Sequence, residues 1–390
     1  MRLSFPVRRS LALIGALLLA LGCAACTRFP EAGAAPDQRQ AAQIPHAEQR
    51  YYLSALRGED RDNVLALYAA LDALASTVTL PRPADETQLQ LYLTLLQTSC
   101  PELIHVRFAQ ALNYTEKNGV VTLQLNAAYR MDAAEREAAL DACRREVLAL
   151  ADTCRTQSAV EQEETVFRAL ALRCRYDQES ETAATAYGAL VEGAAKCDGV
   201  SLAFQWILEE LGLPCLTIMG RDAGLDYGHA WNLVELDGAW YNVDLTPSLR
   251  SDEDAEGKIP DNLVIFYRFN VSDAFLAGKL TPYTLLDAVA PRPRCESMAQ
   301  SYYARRDQLI ARGDALEPAL HAQFARMLEE GSAVLQFEDE AEAERAFASL
   351  EDRLNAWLDE NLDQRSRWRC AWYLLNKNVL LLVWQPDGET

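Results

Sequence analysis

Apolar positions recur at helical spacing over some stretches of this chain and alternate or run together over others. Val64, Leu65, Leu67, Tyr68, Leu71 and Leu74 predict a helix. Thr77 to Leu80 reads as a short strand closed by Pro81 and Pro83, and Leu89 to Leu96 as a second helix. Two strands are expected next, Ile104 to Tyr114 and Val120 to Ala128, around Lys117-Asn118-Gly119, a hairpin-turn sequence. A charged helix from Met131 to Asp152 opens at Asp132 and carries Leu140, Val147 and Leu148 on its apolar side, and another spans Val160 to Tyr176. The small, polar run from Glu179 to Gly193 reads as a loop. After it, Val200, Leu202, Ala203, Phe204, Trp206, Ile207, Leu208 and Leu211 are apolar almost all round, the mark of a buried helix, ended by Gly212 and Pro214. Alternating residues on either side of Asp237-Gly238 predict a hairpin. Leu263 to Phe269 is an apolar strand. The C-terminal pattern is a helix (Pro318 to Leu328), a strand (Ala333 to Phe337), a long helix (Ala341 to Leu358) and two strands (Arg367 to Leu375, Val379 to Gln385).

This order predicts an α+β protein with a central domain over 131–294 between an N-terminal α+β domain (46–130) and a C-terminal one (295–390). Pro291-Arg-Pro-Arg-Cys295 marks the second boundary. Both ends follow the order helix, strand, helix, hairpin, so they are expected to be related α/β modules. That expectation rests on element order, without residue identity.

The first residues follow a different pattern. Arg2, Arg8 and Arg9 precede an apolar run from Leu11 to Leu21, which has signal-peptide length and is short for a membrane span. The run ends in Ala20-Leu21-Gly22-Cys23. This resembles the lipobox of bacterial lipoproteins and implies cleavage after residue 22, lipidation of Cys23, and anchorage on the outer face of a bacterial membrane. Cys26, after Ala24-Ala25, is a second candidate for the lipid. The remainder of 23–45 is rich in Ala, Pro and polar residues and reads as a linker. A net charge of -20 over 390 residues speaks against nucleic-acid binding, which needs a basic footprint. The ten cysteines are not spaced like a metal site, and their pairing cannot be read from spacing. If one straight helix held both Cys143 and Cys154, they would lie roughly 16 Å apart, too far to bond. No metal or organic cofactor is implied; the acidic run from Asp252 to Glu256 reads as a solvated loop rather than a calcium site.

Candidate chemistry sits between residues 197 and 244. Cys197 heads the buried helix, where the positive end of the macrodipole and free backbone N–H groups favour an ionised thiol and could hold an oxyanion. With a two-residue turn at Asp237-Gly238, His229, Trp231, Leu233 and Glu235 share a sheet face with Trp240, Asn242 and Asp244. The other face, with Val234, Leu236, Tyr241, Val243 and Leu245, is the more apolar and is expected to be the core side. His229 and Asp244 then become diagonal neighbours, on the order of 7 Å apart at Cβ, a separation an imidazole and a carboxylate can bridge. Tyr187 can reach the cleft as an oxyanion donor or pack under the helix, and Trp231 can wall the site or shield the histidine.

The blocks KCDGVSLAF, GHAWNLV and AWYNVD occur in the order found in the transglutaminase-like superfamily, and residues from about 160 to 250 resemble its papain-like core. The resemblance implies a helix carrying Cys197 as nucleophile, packed on an antiparallel sheet carrying His229 as general base and acid and Asp244 as its orienting residue. It also implies acyl transfer at amide bonds without a cofactor. Hydrolysis of a peptide or cell-wall substrate is the reading preferred here. Transamidation that crosslinks proteins, or a non-catalytic envelope scaffold that kept the fold, are the alternatives. Two places depart from the family pattern: Phe167-Arg168, where similar proteins often carry His-Asp, and Leu245-Thr246-Pro247, where many carry Thr-Trp-Asp.

Overall fold

Helix starts in this chain are written as short polar motifs. Asp85 with Gln88, Asp132 with Glu135 and Ser158 with Glu161 each form a reciprocal capping box that satisfies otherwise orphaned N–H groups. The computed structural model describes residues 44–249, 263–361 and 368–386. The signal segment, Cys23, Cys26, most of the linker and the acidic loop from Asp252 to Glu256 lie outside the described residues.

The N-terminal segment holds helices α1 (Tyr51–Ala55), α2 (Gly58–Asp72), α3 (Glu86–Ser99) and α4 (Phe108–Ala111) with strands β1 (Thr77–Thr79), β2 (Tyr114–Lys117) and β3 (Val120–Gln124). Helices α5 (Ala133–Cys154) and α6 (Ala159–Arg173), strand β4 (Arg175–Tyr176), a π-helical turn (Gly188–Glu192) and strand β5 (Ala194–Ala195) lead to α7 (Cys197–Glu210). Strands β6 (Cys215–Asp222), β7 (Gly228–Leu236), β8 (Ala239–Asp244) and β9 (Arg268–Val271), the short α8 (Asp273–Leu276) and β10 (Leu280–Pro282) complete the central segment. The C-terminal segment comprises β11 (Leu309–Ile310), α9 (Leu316–Glu330), β12 (Ser332–Phe337), α10 (Glu340–Ala348), α11 (Leu350–Asn361), β13 (Trp368–Leu375) and β14 (Val379–Pro386).

The central sheet is antiparallel in the order β10-β6-β7-β8-β9. Helix α7 buries Val200, Ala203, Phe204 and Ile207 in one core with Val234, Leu236, Tyr241 and Val243 of the sheet. Each fully buried Val, Leu, Ile or Phe side chain there contributes about 1.5–3 kcal/mol. The opposite face, though more mixed in composition, is covered as well. Leu216, Ile218, Trp231 and Leu233 are buried there in a second core with Leu89, Tyr92, Leu93 and Leu96 of α3. The N-terminal segment thus supplies the cover that the hairpin lacks.

The two outer sheets have matching strand orders, β1-β3-β2 and β12-β14-β13, antiparallel throughout, with the last strand in the middle. The C-terminal sheet adds β11, parallel to β12, and has its own core around Phe324, Met327, Leu335 and Leu354. No described helix is long and apolar enough to cross a membrane.

Several local expectations are corrected. Ile104 to Asn113 is turns and the short α4, because Leu103, Ile104, His105 and Val106 are all buried in succession, which a half-exposed strand cannot arrange. Val264 to Tyr267 is likewise buried outside any strand, and only Arg268–Val271 joins β8. The long C-terminal helix breaks at Ser349, whose hydroxyl donates back to the Arg345 carbonyl at 3.1 Å. Part of the Glu179 to Gly193 loop is the π-helical turn. The run from Pro291 to Cys295 packs onto the body, with Arg292 paired to Asp273 at 3.2 Å and the Cys295 N–H bound to the same carboxylate.

Candidate active site

Cys197 is the first residue of α7, and its entry is fixed by backbone pairing: Lys196 N–H donates to Ala183 O, and β5 pairs with β4 so that Tyr176 lies opposite Ala195. Gly199 makes this possible. A Cβ there would sit 2.3 Å from Ala183 O and 2.7 Å from Thr185 O, so the loop from Ala183 can press against the first helical turn only because the side chain is absent. The hairpin closes on Asp237 and Gly238, both with positive φ (52° and 81°), and Leu236 pairs with Ala239, the register that the two-residue turn predicts.

That register brings His229 Nε2 to 2.9 Å from Asp244 Oδ2. Both residues are buried, Asp244 completely. Asp244 holds a second cation: Arg268 Nη1 donates to the same oxygen at 2.7 Å and to Asp222 at 2.9 Å. The other oxygen accepts from Thr246 N–H at 3.1 Å. Burial alone would raise Asp244, but His229 and then Arg268 outweigh it and hold the carboxyl well below the ordinary range. Burial would lower His229, but Asp244 and then the nearby Cys197 raise it to about 10. The imidazole is therefore charged at neutral pH, with Nε2 committed to Asp244. Nδ1 is buried and makes no hydrogen bond among the described residues, which leaves it for the Cys197 thiol.

Cys197 is itself buried, with Sγ 3.6 Å from Asp198 Oδ1. Burial pushes the other described cysteines upward, Cys143 and Cys295 to about 12 and Cys174 and Cys370 to about 11. All the described cysteines are free thiols.

Trp231 stacks on His229, with centroids 6.0 Å apart and rings 18° from parallel, and its Nε1 donates to Asn242 at 3.1 Å. Asn232 ties the hairpin to α7 by donating to Ser201 O at 3.0 Å. Tyr187 packs against the core around α7, and its hydroxyl makes no hydrogen bond among the described residues. The departures from the family pattern are accommodated structurally: Phe167 lies in an aromatic cluster with Phe204, Phe266 and Phe269, and Leu245 is buried in the same core.

Sequence reasoning missed Arg268 and Asp222, and it missed a polar bridge between two chain segments near the site. Gln178 Nε2 donates to Tyr176 Oη at 2.9 Å and Tyr227 Oη at 2.8 Å. This joins the segment entering Cys197 to the segment entering His229. Burial first, and then the Tyr227 hydroxyl, push the Tyr176 phenol up, with Cys197 close enough to add to the effect. An arginine within an apolar run and a tyrosine two positions before His229 were the available signals, and neither reveals a partner far away in sequence. Among the described residues, no group of His, Cys, Asp or Glu is placed to hold a metal.

Residues 148–245 match the model of the transglutaminase-like superfamily. No curated protein matches the chain. Among solved structures, a TGase is similar at 15% identity over 47% of this chain and 55% of that one, with a TM-score of 0.27. Menin, whose structure reveals the binding site for Mixed Lineage Leukemia (MLL) protein, is similar at 12% identity over 74% and 59%, also with a TM-score of 0.27. The chain spans less than two thirds of either protein.

Proposed function

From a transglutaminase-like domain over residues 148–245, we propose that this protein performs cysteine-dependent acyl transfer at amide bonds. Cys197 is the nucleophile in this reading, His229 the acid and base, and Asp244 the residue that orients His229. The observation that carries the proposal is the buried His229–Asp244 pair, which leaves Nδ1 free beside the thiol. A charged imidazole there stabilises a thiolate. The thiolate attacks the carbonyl, Nδ1–H protonates the departing amine, and a thioester forms. The same nitrogen then takes a proton from the incoming nucleophile. Water gives hydrolysis of a peptide or cell-wall peptide, the preferred outcome because it needs no second acceptor site. Arg268 assists Asp244, and Trp231 shields the imidazole from water. The pattern at Cys23 or Cys26 supports tethering at the outer face of a bacterial membrane, to be checked by metabolic lipid labelling.

Incubation of the full chain with 4-nitrophenyl acetate tests the chemistry. Acetylation is expected at Cys197, absent in Cys197→Ala and slowed by about 10²-fold or more in His229→Ala. Equal acetylation of wild type and His229→Ala would overturn the activated-thiol reading. Adding a primary amine separates hydrolysis from transamidation by product.

A further inference from the structure

Beside the nucleophile lies a cavity of about 360 Å³ that the triad does not use. Its walls include Lys196 and Asp198, which flank Cys197, the loop bearing Glu181 and Thr185, and two arginines from the N-terminal segment, Arg107 and Arg130. Asp198 Oδ1 is 3.6 Å from Cys197 Sγ, so cavity and thiol are separated by one side chain. In a chain of net charge -20, three cations converging on one hollow stand out.

These cations are only partly neutralised. The Lys196 ammonium has no ion pair or hydrogen bond among the described residues. Arg107 donates to the Tyr129 carbonyl at 2.9 Å and to Glu181 Oε2 at 2.8 Å, but the Glu181 side chain is 78% exposed. An exposed carboxylate on an arginine contributes little and is readily exchanged. Arg130 is braced by the Val106 and Glu181 carbonyls, and its buried Nε makes no hydrogen bond. Burial and the adjacent charge of Arg107 both disfavour its charged form, a cost that an incoming anion would relieve.

We infer that this cavity is a subsite for a carboxylate borne by the substrate residue next to the reacting carbonyl. Lys196 pairs with that carboxylate, and Arg107 exchanges Glu181 for it. The inference rests on Cys197 being the acyl-accepting thiol and narrows its substrates to acidic peptides.

The test uses two probes differing in one group, N-bromoacetyl-glutamic acid and N-bromoacetyl-glutamine, both as C-terminal amides. Alkylation of Cys197 in the full chain is followed by peptide mass spectrometry. The acidic probe is expected to react about five- to tenfold faster at low salt. That ratio should fall towards one in Lys196→Gln and Arg107→Gln, persist in Lys196→Arg and rise in Glu181→Gln. Because the ratio is internal to each variant, general changes in thiol reactivity cancel. A wild-type ratio of one or less, or a ratio unmoved by both glutamine substitutions, overturns the subsite while leaving acyl transfer intact. If neither probe labels Cys197 faster than buried Cys143, the acyl-transfer reading fails and the subsite falls with it.

Discussion

Near the N-terminal end of α7 a single buried carboxylate, Asp244, holds two cations, His229 and Arg268. Near the C-terminal end a single buried cation, Arg50, holds two carboxylates, Glu102 at 2.9 Å and Glu209 at 3.0 Å. Around Arg50 every side-chain nitrogen is engaged: Nε and Nη2 meet Glu209, while Nη1 and Nη2 meet Glu102. The carboxylates are braced in turn by Tyr68 and Gln205. This cluster ties the N-terminal segment to α7. Around Asp244 the network ends instead at Nδ1 of His229, which has no hydrogen-bond partner among the described residues. Both clusters meet the cost of burying charge by pairing it. The one that leaves an atom unpaired beside a thiol can do chemistry, and the saturated one can only hold elements together.

Asp244→Asn should break this contrast most sharply. It keeps the shape but removes the charge that sustains the imidazolium, and kcat/KM for acyl transfer should fall by about 10³–10⁴-fold. The pH profile carries the sign. With the folded imidazole at about 10 and the unfolded value near 6.5, the pair's contribution to stability is lost as pH rises from about 6.5 through about 10, and the lowered Asp244 carboxyl means that it is lost again as pH falls below about 4. The alkaline limb of kcat/KM, which reports loss of the imidazolium, should therefore move to lower pH in Asp244→Asn. An unmoved limb would assign it to another group.

Arg50→Met tests the saturated cluster. Removing the lone cation strands two buried carboxylates and should lower unfolding stability by about 3–5 kcal/mol in urea. The rate at which iodoacetamide labels Cys197 in the still-folded fraction should not change. A large change in labelling would join the two clusters functionally.

Glu163 shows what burial does to a carboxylate with no ion pair among the described residues. It is fully buried, accepts one hydrogen bond from Asn270 at 2.6 Å, and desolvation pushes it up to about 8. Its raised value makes folding progressively less favourable from about pH 4.5 to pH 8, so Glu163→Gln should stabilise the protein by about 1–3 kcal/mol at pH 8. The gain should largely vanish at pH 4, as thermal melts at both values would show. Equal effects at both would mean that packing, not ionisation, governs the site.

Much of the site was legible because it is local. The Asp237-Gly238 turn sets the register between β7 and β8, and that register alone makes His229 and Asp244 neighbours. The start of α7 at Cys197 follows from the apolar run behind it. Arg268 was not legible: it reaches Asp244 from β9, inside an apolar run that offered no partner. Neither was the cover over Trp231 and Leu233, because the side chains of α3 that bury that face lie more than a hundred residues earlier. The runs at Ile104 and Val264 were misread as strands because an apolar stretch records burial and not the pairing that makes a strand.

The sequence by itself determined the helix bearing the thiol, the hairpin and its register, and the pairing of histidine with aspartate. Turns, caps and periodicity act between residues close along the chain. Tertiary structure alone decided which buried charges are saturated, which nitrogen stays free, and which cations gather beside the nucleophile. Desolvation makes each buried charge depend on partners that folding brings from distant segments.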